Sequence, residues 1–480
     1  MWRGTYPGRS GEIQLVAGRF DLVGDWLPHA GPWPHLQRVP LLLHGPGRVP
    51  AAGSVARPVT MADVAPTLAE HMHFGFEAPD GEVLEEAVTP DVKPPRLVLG
   101  IVWDGGGMNV LERHPEAWPN VRGLISEGAW FENATVGSSP SLTAVVHSTL
   151  GTGAFPRTHG RVDHWLRLDD RVVETLRTGM ADLLVPSLAD EWDLANGNEA
   201  QIAAVAKETW HLGMIGMGAR LPGGDRDVAL IDAGGGWSLP PELRQVFSSP
   251  AYTDEVGPPE ELVRRYDLED GEADREWHGR DDVYADVRFM TRQTRVVEEL
   301  IERAGFGEDD VTDLMFVNYK AIDRVGHTYT LNSPEMDLML READRSLGEL
   351  VRFLDERVGQ GEWLLVLTAD HGTALDPRTT GGLEIDTGEL RADLQRAFDG
   401  DGDDRPVVQV VRSTQLWVDE EELRSHGHSI GQVAEFLNRY TAGENARDRD
   451  ALSEEAAADR AFQAVFPTAV LEDLPCLGRP

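Results

Sequence analysis

Cysteine and lysine are nearly absent from this chain: 480 residues contain one cysteine, Cys476, and three lysines, Lys93, Lys207 and Lys320. A lone cysteine excludes an internal disulfide and any zinc site built from cysteine pairs, and it suits a reducing compartment. Positive charge is scarce as well, with 44 Lys+Arg against 82 Asp+Glu and a net charge of −38. Such a field repels a phosphate backbone, which excludes nucleic-acid polymers as partners and disfavours anionic membrane surfaces. Long apolar runs are missing too. No stretch approaches the ~18 residues needed to span a bilayer, and the first twenty residues lack the apolar core of a signal peptide. The expectation is a soluble, cytoplasmic protein. Core-forming residues are plentiful: hydrophobic residues make up 41%, with 13 Trp and 14 Phe, which excludes a disordered chain.

Four short apolar runs read as buried strands: Pro40–Leu43, Leu97–Trp103, Leu314–Tyr319 and Leu364–Thr368. Their hydrophobicity is continuous, as in a central parallel sheet covered on both faces. Helical periodicity over Arg288–Ala304 and Met336–Val358 precedes the last two. This alternation predicts an α/β fold, a doubly wound, mostly parallel sheet with helices on both faces. Residues 161–285, rich in Gly, Asp and Pro, read as an insertion. A second, cap-like insertion lies within 376–480, with strands at Val407–Val411 and Gln415–Val418 and a helix over Ser429–Tyr440. The expected division is 1–95, 96–375 and 376–480, all one catalytic unit.

In open α/β sheets ligands gather beyond the carboxyl ends of the strands. Three predicted strands end there in carboxylates: Asp104 after LVLGIVW, Asp370-His371 after LLVLTA, and Asp323 with His327 in KAIDRVGH. One such Asp is ordinarily a cap or turn residue. Three of them, two with a paired His, favour a zinc or manganese ligand set. A hydroxyl-rich turn, Ser138–Ser141, leads into a helix that begins near Thr143. Ser139 and Ser141 fit as caps; a hydroxyl there also becomes a nucleophile beside a metal, where the helix dipole favours an anion. Gly105–Gly107 make a tight turn without a phosphate-loop signature, His44 reads as a core histidine, and HLGMIGMG (211–218) reads as buried packing.

Together these pieces resemble the alkaline phosphatase superfamily, and most closely its type I phosphodiesterase/nucleotide pyrophosphatase branch. The similarity rests on Thr143, His147, Thr152-Gly153, Pro156 and His159-Gly160, then Asp323-Arg-Val-Gly-His327 and Asp370-His371-Gly372, all in family order. The family's last histidine normally follows the DHG motif within an HG…VP…GPG segment. Here that pattern stands at Pro28-His29-Ala30-Gly31-Pro32, Val39-Pro40 and Gly45-Pro46-Gly47, so the chain reads as a circular permutant. The competing histidines are His426 and His428.

The resemblance implies two divalent metal ions, zinc first and manganese second. Asp323, His327 and His29 would hold one; Asp104, Asp370 and His371 would hold the other, with Thr143 as a further ligand. It also implies hydrolysis of a small phosphate ester, diester or monoester, through a phospho-threonine intermediate. The family's Asn after the nucleophile is replaced by the run Val145-Val146-His147, so a non-bridging oxygen needs another donor. Lys320, His164 and Arg167 are the candidates for substrate contact, with an exposed loop lysine as the alternative for Lys320. His159 is expected to shape the turn after the nucleophile helix and His147 to pack beneath the site. Competing readings are a sulfatase or phosphonate hydrolase of the superfamily, and a non-catalytic binding protein on a degenerate version of the fold. The permuted reading predicts that His29→Ala lowers turnover far more than His426→Ala combined with His428→Ala; initial rates on p-nitrophenyl phosphate decide it, and the reverse ranking refutes it.

Overall fold

All four apolar runs become strands of one eight-stranded sheet in the computed structural model, which describes residues 1–24, 27–175, 182–232, 236–255, 287–400, 405–446 and 452–473. Cys476 lies outside the described residues. Across the sheet the strands are Val228–Ile231, Ile202–Ala206, Asp313–Tyr319, Leu97–Trp103, Trp363–Thr368, Leu41–His44, Ala129–Thr135 and Gly53–Thr60. Neighbours run parallel except at Leu41–His44, which is antiparallel to both its partners.

Alternation along Leu97–Trp103 explains why no polar face is left. Leu97, Leu99, Ile101 and Trp103 pack with the helices Val287–Ala304 and Pro334–Leu354. Val98 and Val102 belong to the opposite layer, with Val64 and Leu68 of helix Val64–His71 and Val146 and Leu150 of helix Thr143–Thr152. That last helix is buried along its whole length. This is the doubly wound α/β arrangement expected. Among the described residues no helix is long and apolar enough to cross a membrane.

Two expectations need correction. The stretch 161–285 supplies Ile202–Ala206 and Val228–Ile231, which complete one edge of the sheet. Their runs, IAAVA and VALI, are short and small, and the Gly- and Asp-rich turns around them hide the periodicity. Residues 1–95 also divide. Ile13–Val16 leaves the core and pairs antiparallel with Ala464–Pro467 and Gln415–Val418, in a four-stranded satellite sheet completed by Val408–Val411. Helices Thr387–Phe398 and Ile430–Arg439 pack on that sheet through Leu390, Leu394, Val433 and Leu437.

Leu41–His44 reaches both core layers, Leu42 packing on one face and Leu43 on the other. Both are at most 1% exposed. Leu43→Ala is therefore expected to lower the unfolding free energy by ~2–5 kcal/mol, read by chemical denaturation; a change below ~1 kcal/mol would show this strand to be peripheral.

Candidate active site and metal centre

Three strand ends and one inserted loop build the site. Asp104 follows Leu97–Trp103, and the chain turns away at once through Gly105, whose φ of +69° is a conformation that a side chain strains. Gly105 N–H donates to Asp370 Oδ1 at 3.1 Å. A Cβ on Gly107 would stand 2.5 Å from Gly372 Cα, so these two loops meet backbone to backbone. Asp323 and His327 lie one turn apart on helix Ala321–Tyr329, with His327 Nε2 3.2 Å from Asp323 Oδ1.

His29 comes from the other end of the chain. Ser141 Oγ donates to His29 O at 2.8 Å and Ser139 Oγ to Ala30 O at 3.3 Å, which fixes the loop against the turn before helix Thr143–Thr152. His29 Nε2 is 3.6 Å from Asp323 Oδ1, and its ring stacks on His371 with centroids 3.4 Å apart. The antiparallel direction of Leu41–His44 makes this reach possible: Leu41 pairs with Thr368, the last residue of its strand, so the loop before it begins at the catalytic edge.

His371 Nε2 is the point of convergence. Asp370 Oδ2 lies 3.4 Å from it, and Asp104 Oδ1 and Thr143 Oγ1 each 3.5 Å. Ligands of a tetrahedral zinc ion with ~2.1 Å bonds stand ~3.4 Å apart, so this spacing suits one ion. The donor set of carboxylates and imidazoles fits as well. Asp370 Oδ2 is buried and has no hydrogen-bond partner among the described residues. His29, Asp323 and His327 offer a second group of ligand atoms within 4.8 Å of one another.

Electrostatics divides the carboxylates. Burial opposes ionisation of Asp104, yet the Lys320 ammonium holds its carboxyl well below the usual range. Burial also opposes ionisation of Asp323, and His327 and Lys320 outweigh it. Asp370, buried and facing Asp104, is pushed well above the usual range. Burial lowers His29, His147, His211 and His371, so each presents a neutral imidazole, the form that ligates a metal.

The expected ligands thus meet: His29, Asp104, Asp323, His327, Asp370, His371 and Thr143. His426 and His428 do not join them; His426 pairs with Glu422 at 3.0 Å and His428 packs edge-on to Phe398, both in the satellite. Lys320 is no exposed loop residue. It is 7% exposed, and Nζ bridges Asp104 Oδ1 at 2.8 Å and Asp323 Oδ2 at 2.7 Å. Arg167 is engaged with both Glu12 oxygens at 3.0 and 3.1 Å and with Gln409, tying the Trp165–Leu168 strand to the satellite. His164 stacks on Trp210 at 4.3 Å. His159 caps its turn, accepting from Arg161 N and meeting Thr149 Oγ1, and burial holds it neutral with its pKa lowered to about 3. His44 is buried against Trp363.

Two residues at the site escaped the sequence reading. Asn318 Nδ2 donates to Asp104 Oδ2 and to His147 Nε2, both at 2.9 Å. It was visible as the one amide in the apolar run LMFVNY. His211 corrects the reading of HLGMIGMG as packing alone: Nε2 lies 3.3 Å from Asp104 Oδ2, and Nδ1 is held by the Glu208 backbone. Nothing in that segment separates this histidine from its methionine neighbours; only topology brings it to Asp104. Both hold Oδ2 of Asp104, the oxygen that does not face His371, so His211→Ala should lower kcat/KM by ~10–100-fold with unchanged circular dichroism; full activity would remove this positioning role.

A fold and a site of this kind define the alkaline phosphatase superfamily. The crystal structure of alkaline phosphatase PafA superimposes with a TM-score of 0.55 and 18% identity, covering 72% of this chain and 76% of that one. In sequence the chain is 22% identical to alkaline phosphatase PafA of Elizabethkingia meningoseptica over 421 residues, 73% of each chain. It is 25% identical to alkaline phosphatase PhoV of Synechococcus elongatus over 354 residues, 60% of this chain and 62% of that one. The family profile of type I phosphodiesterase/nucleotide pyrophosphatase matches residues 98–467, and the chain belongs to that family. It is a phosphoric ester hydrolase.

Proposed function

We propose that the chain hydrolyses small phosphate esters, diesters or monoesters, with Thr143 as nucleophile and two divalent metal ions, zinc first and manganese second. The observation that carries this reading is the convergence of Thr143 Oγ1, Asp104 Oδ1 and Asp370 Oδ2 on His371 Nε2. Asp104, Asp370 and His371 would hold one ion and Asp323, His327 and His29 the other. When bound, the two ions supply Lewis acidity and charge neutralisation to the reacting phosphoryl oxygens.

Thr143 opens helix Thr143–Thr152, and its N-cap residue, Leu142, has no side chain that could cap it. Its first N–H groups therefore point at an incoming anion, with the favourable end of the dipole behind them. Lys320 adds a buried positive charge between Asp104 and Asp323, in place of the missing Asn as a partner for a non-bridging oxygen. Thr143, deprotonated to solvent, attacks phosphorus as the P–O bond to the leaving group breaks. Water then cleaves the phospho-threonine, releasing phosphate or its monoester and restoring the hydroxyl. Residues 1–95 would contribute as a circularly permuted segment, which the His29 loop and its antiparallel strand support. A small soluble substrate suits the overall charge of −38, since long polyanions are repelled at a distance.

The test combines metal analysis with hydrolysis of p-nitrophenyl phosphate and bis-p-nitrophenyl phosphate. Purified protein should carry divalent metal, lose turnover on chelation and regain it with zinc. Thr143→Ala should lose on the order of 10³-fold or more in kcat. Undiminished activity in that variant, or hydrolysis indifferent to chelation, would sink the mechanism.

A further inference from the structure

At the opposite edge of the sheet from the catalytic cluster, three carboxylates converge without a cation. Asp193 stands in the last turn of helix Leu188–Ala195, where the dipole already disfavours negative charge. Asp225 and Asp227 belong to the segment Gly223-Gly224-Asp225-Arg226-Asp227, which leads directly into Val228–Ile231, and Asn198 Nδ2 holds that turn through Gly223 O at 3.1 Å. Ligand oxygens of Asp193, Asp225 and Asp227 lie within 4.8 Å of one another.

Buried carboxylates normally come with donors, and among the described residues the buried Asp193 lacks one at Oδ1. Asp193 is 4% exposed, yet its Oδ1 has no hydrogen-bond partner among the described residues. The neighbouring Asn198 Oδ1, also buried, is likewise without a partner. Asp190, the next carboxylate, is satisfied by the N–H groups of Ser187, Met217 and Gly218 and has nothing to give. Arg226 turns away to the carbonyl of Arg244 at 3.3 Å. Burial, followed by the charges of Asp193, Asp190 and Asp225, pushes Asp227 up to about 9. Burial, then Asp225 and Asp190, pushes Asp193 up to about 6.

We propose that Asp193, Asp225 and Asp227 form a calcium site that fastens the helix Leu188–Ala195 to the edge strand Val228–Ile231. The three donors are carboxylates, the hard oxygens that calcium takes, with no imidazole or thiolate in the group that would select zinc. The site shares no residue with the catalytic cluster and is independent of the reading of that cluster. It is structural: a dication there offsets mutual repulsion that otherwise loosens the sheet edge.

The test is thermal unfolding and calorimetric titration of the holoenzyme as purified, dialysed into calcium-free buffer, then given CaCl2 or MgCl2. Calcium should bind one per chain with Kd in the range of ~10⁻⁵–10⁻³ M and raise Tm by several degrees. Asp225→Asn, at an exposed position, should fold and lose the calcium response. Asp227→Asn should melt above wild type in calcium-free buffer, because the cost of holding this carboxyl protonated near neutral pH is gone, and should gain nothing from calcium. Thr143→Ala should keep the full calcium shift. No binding by wild type would overturn the site in favour of a proton shared between Asp193 and Asp227. A calcium shift retained in both Asp variants would overturn it as well, and an equal shift with magnesium would overturn the choice of calcium.

Discussion

Burying Asp104, Asp323 and Asp370 against one another, with Lys320 as the bridging ammonium, is the constraint around which the molecule is arranged. Carboxylates this deep are tolerated only when paired or hydrogen-bonded. The surrounding parts can be read as responses to that demand. Gly105 N–H is directed at Asp370, Asn318 and His211 at the outer oxygen of Asp104, and Lys320 at both Asp104 and Asp323. Close contact between the Gly107 and Gly372 backbones brings two carboxylate-bearing loops to one place.

The same constraint sets the character of the histidines. In water an imidazole shares its proton near neutrality; under this much protein it gives the proton up. The site therefore gathers neutral nitrogen donors around negative oxygen donors. Such a cluster is poorly satisfied by side chains alone: among the described residues Asp370 Oδ2 has no hydrogen-bond partner. The two proposed dications would reconcile an acidic protein with a phosphate ester, because a small ester would meet their local charge before that of the distant surface.

Legibility in the sequence followed from how locally each feature is encoded. Leu97–Trp103 and Trp363–Thr368 are apolar on both faces, so continuous hydrophobicity marks them. The motifs around Asp104, Asp323 and Asp370 sit within a few residues of their strand ends, where short spacing preserves the signal. Ile202–Ala206 was hidden because its alanines carry little hydrophobic contrast, although strands flank it on both sides. His211 was hidden because its role depends on where a Met-rich turn lands, which no local pattern encodes. Ile13–Val16 pairs with Ala464–Pro467 across nearly the whole chain, a partnership invisible to any window.

The antiparallel strand Leu41–His44 has a consequence for how the molecule is made. Thr368 Oγ1 bonds to Pro40 O, 328 residues away, and the strand is enclosed by Trp363–Thr368 on one side. On a ribosome adding ~5–20 residues per second, this segment waits roughly tens of seconds for that neighbour to emerge. Until then the strand has Ala129–Thr135 on one side only, and its other edge stays open, a period in which pairing with another chain competes. Non-local closure of this kind makes assembly of the core a late, all-or-nothing event. A nascent chain lacking its last third would hold helix Thr143–Thr152 and the His29 loop, bonded to each other through Ser139 and Ser141, but none of Asp323, His327, Asp370 and His371.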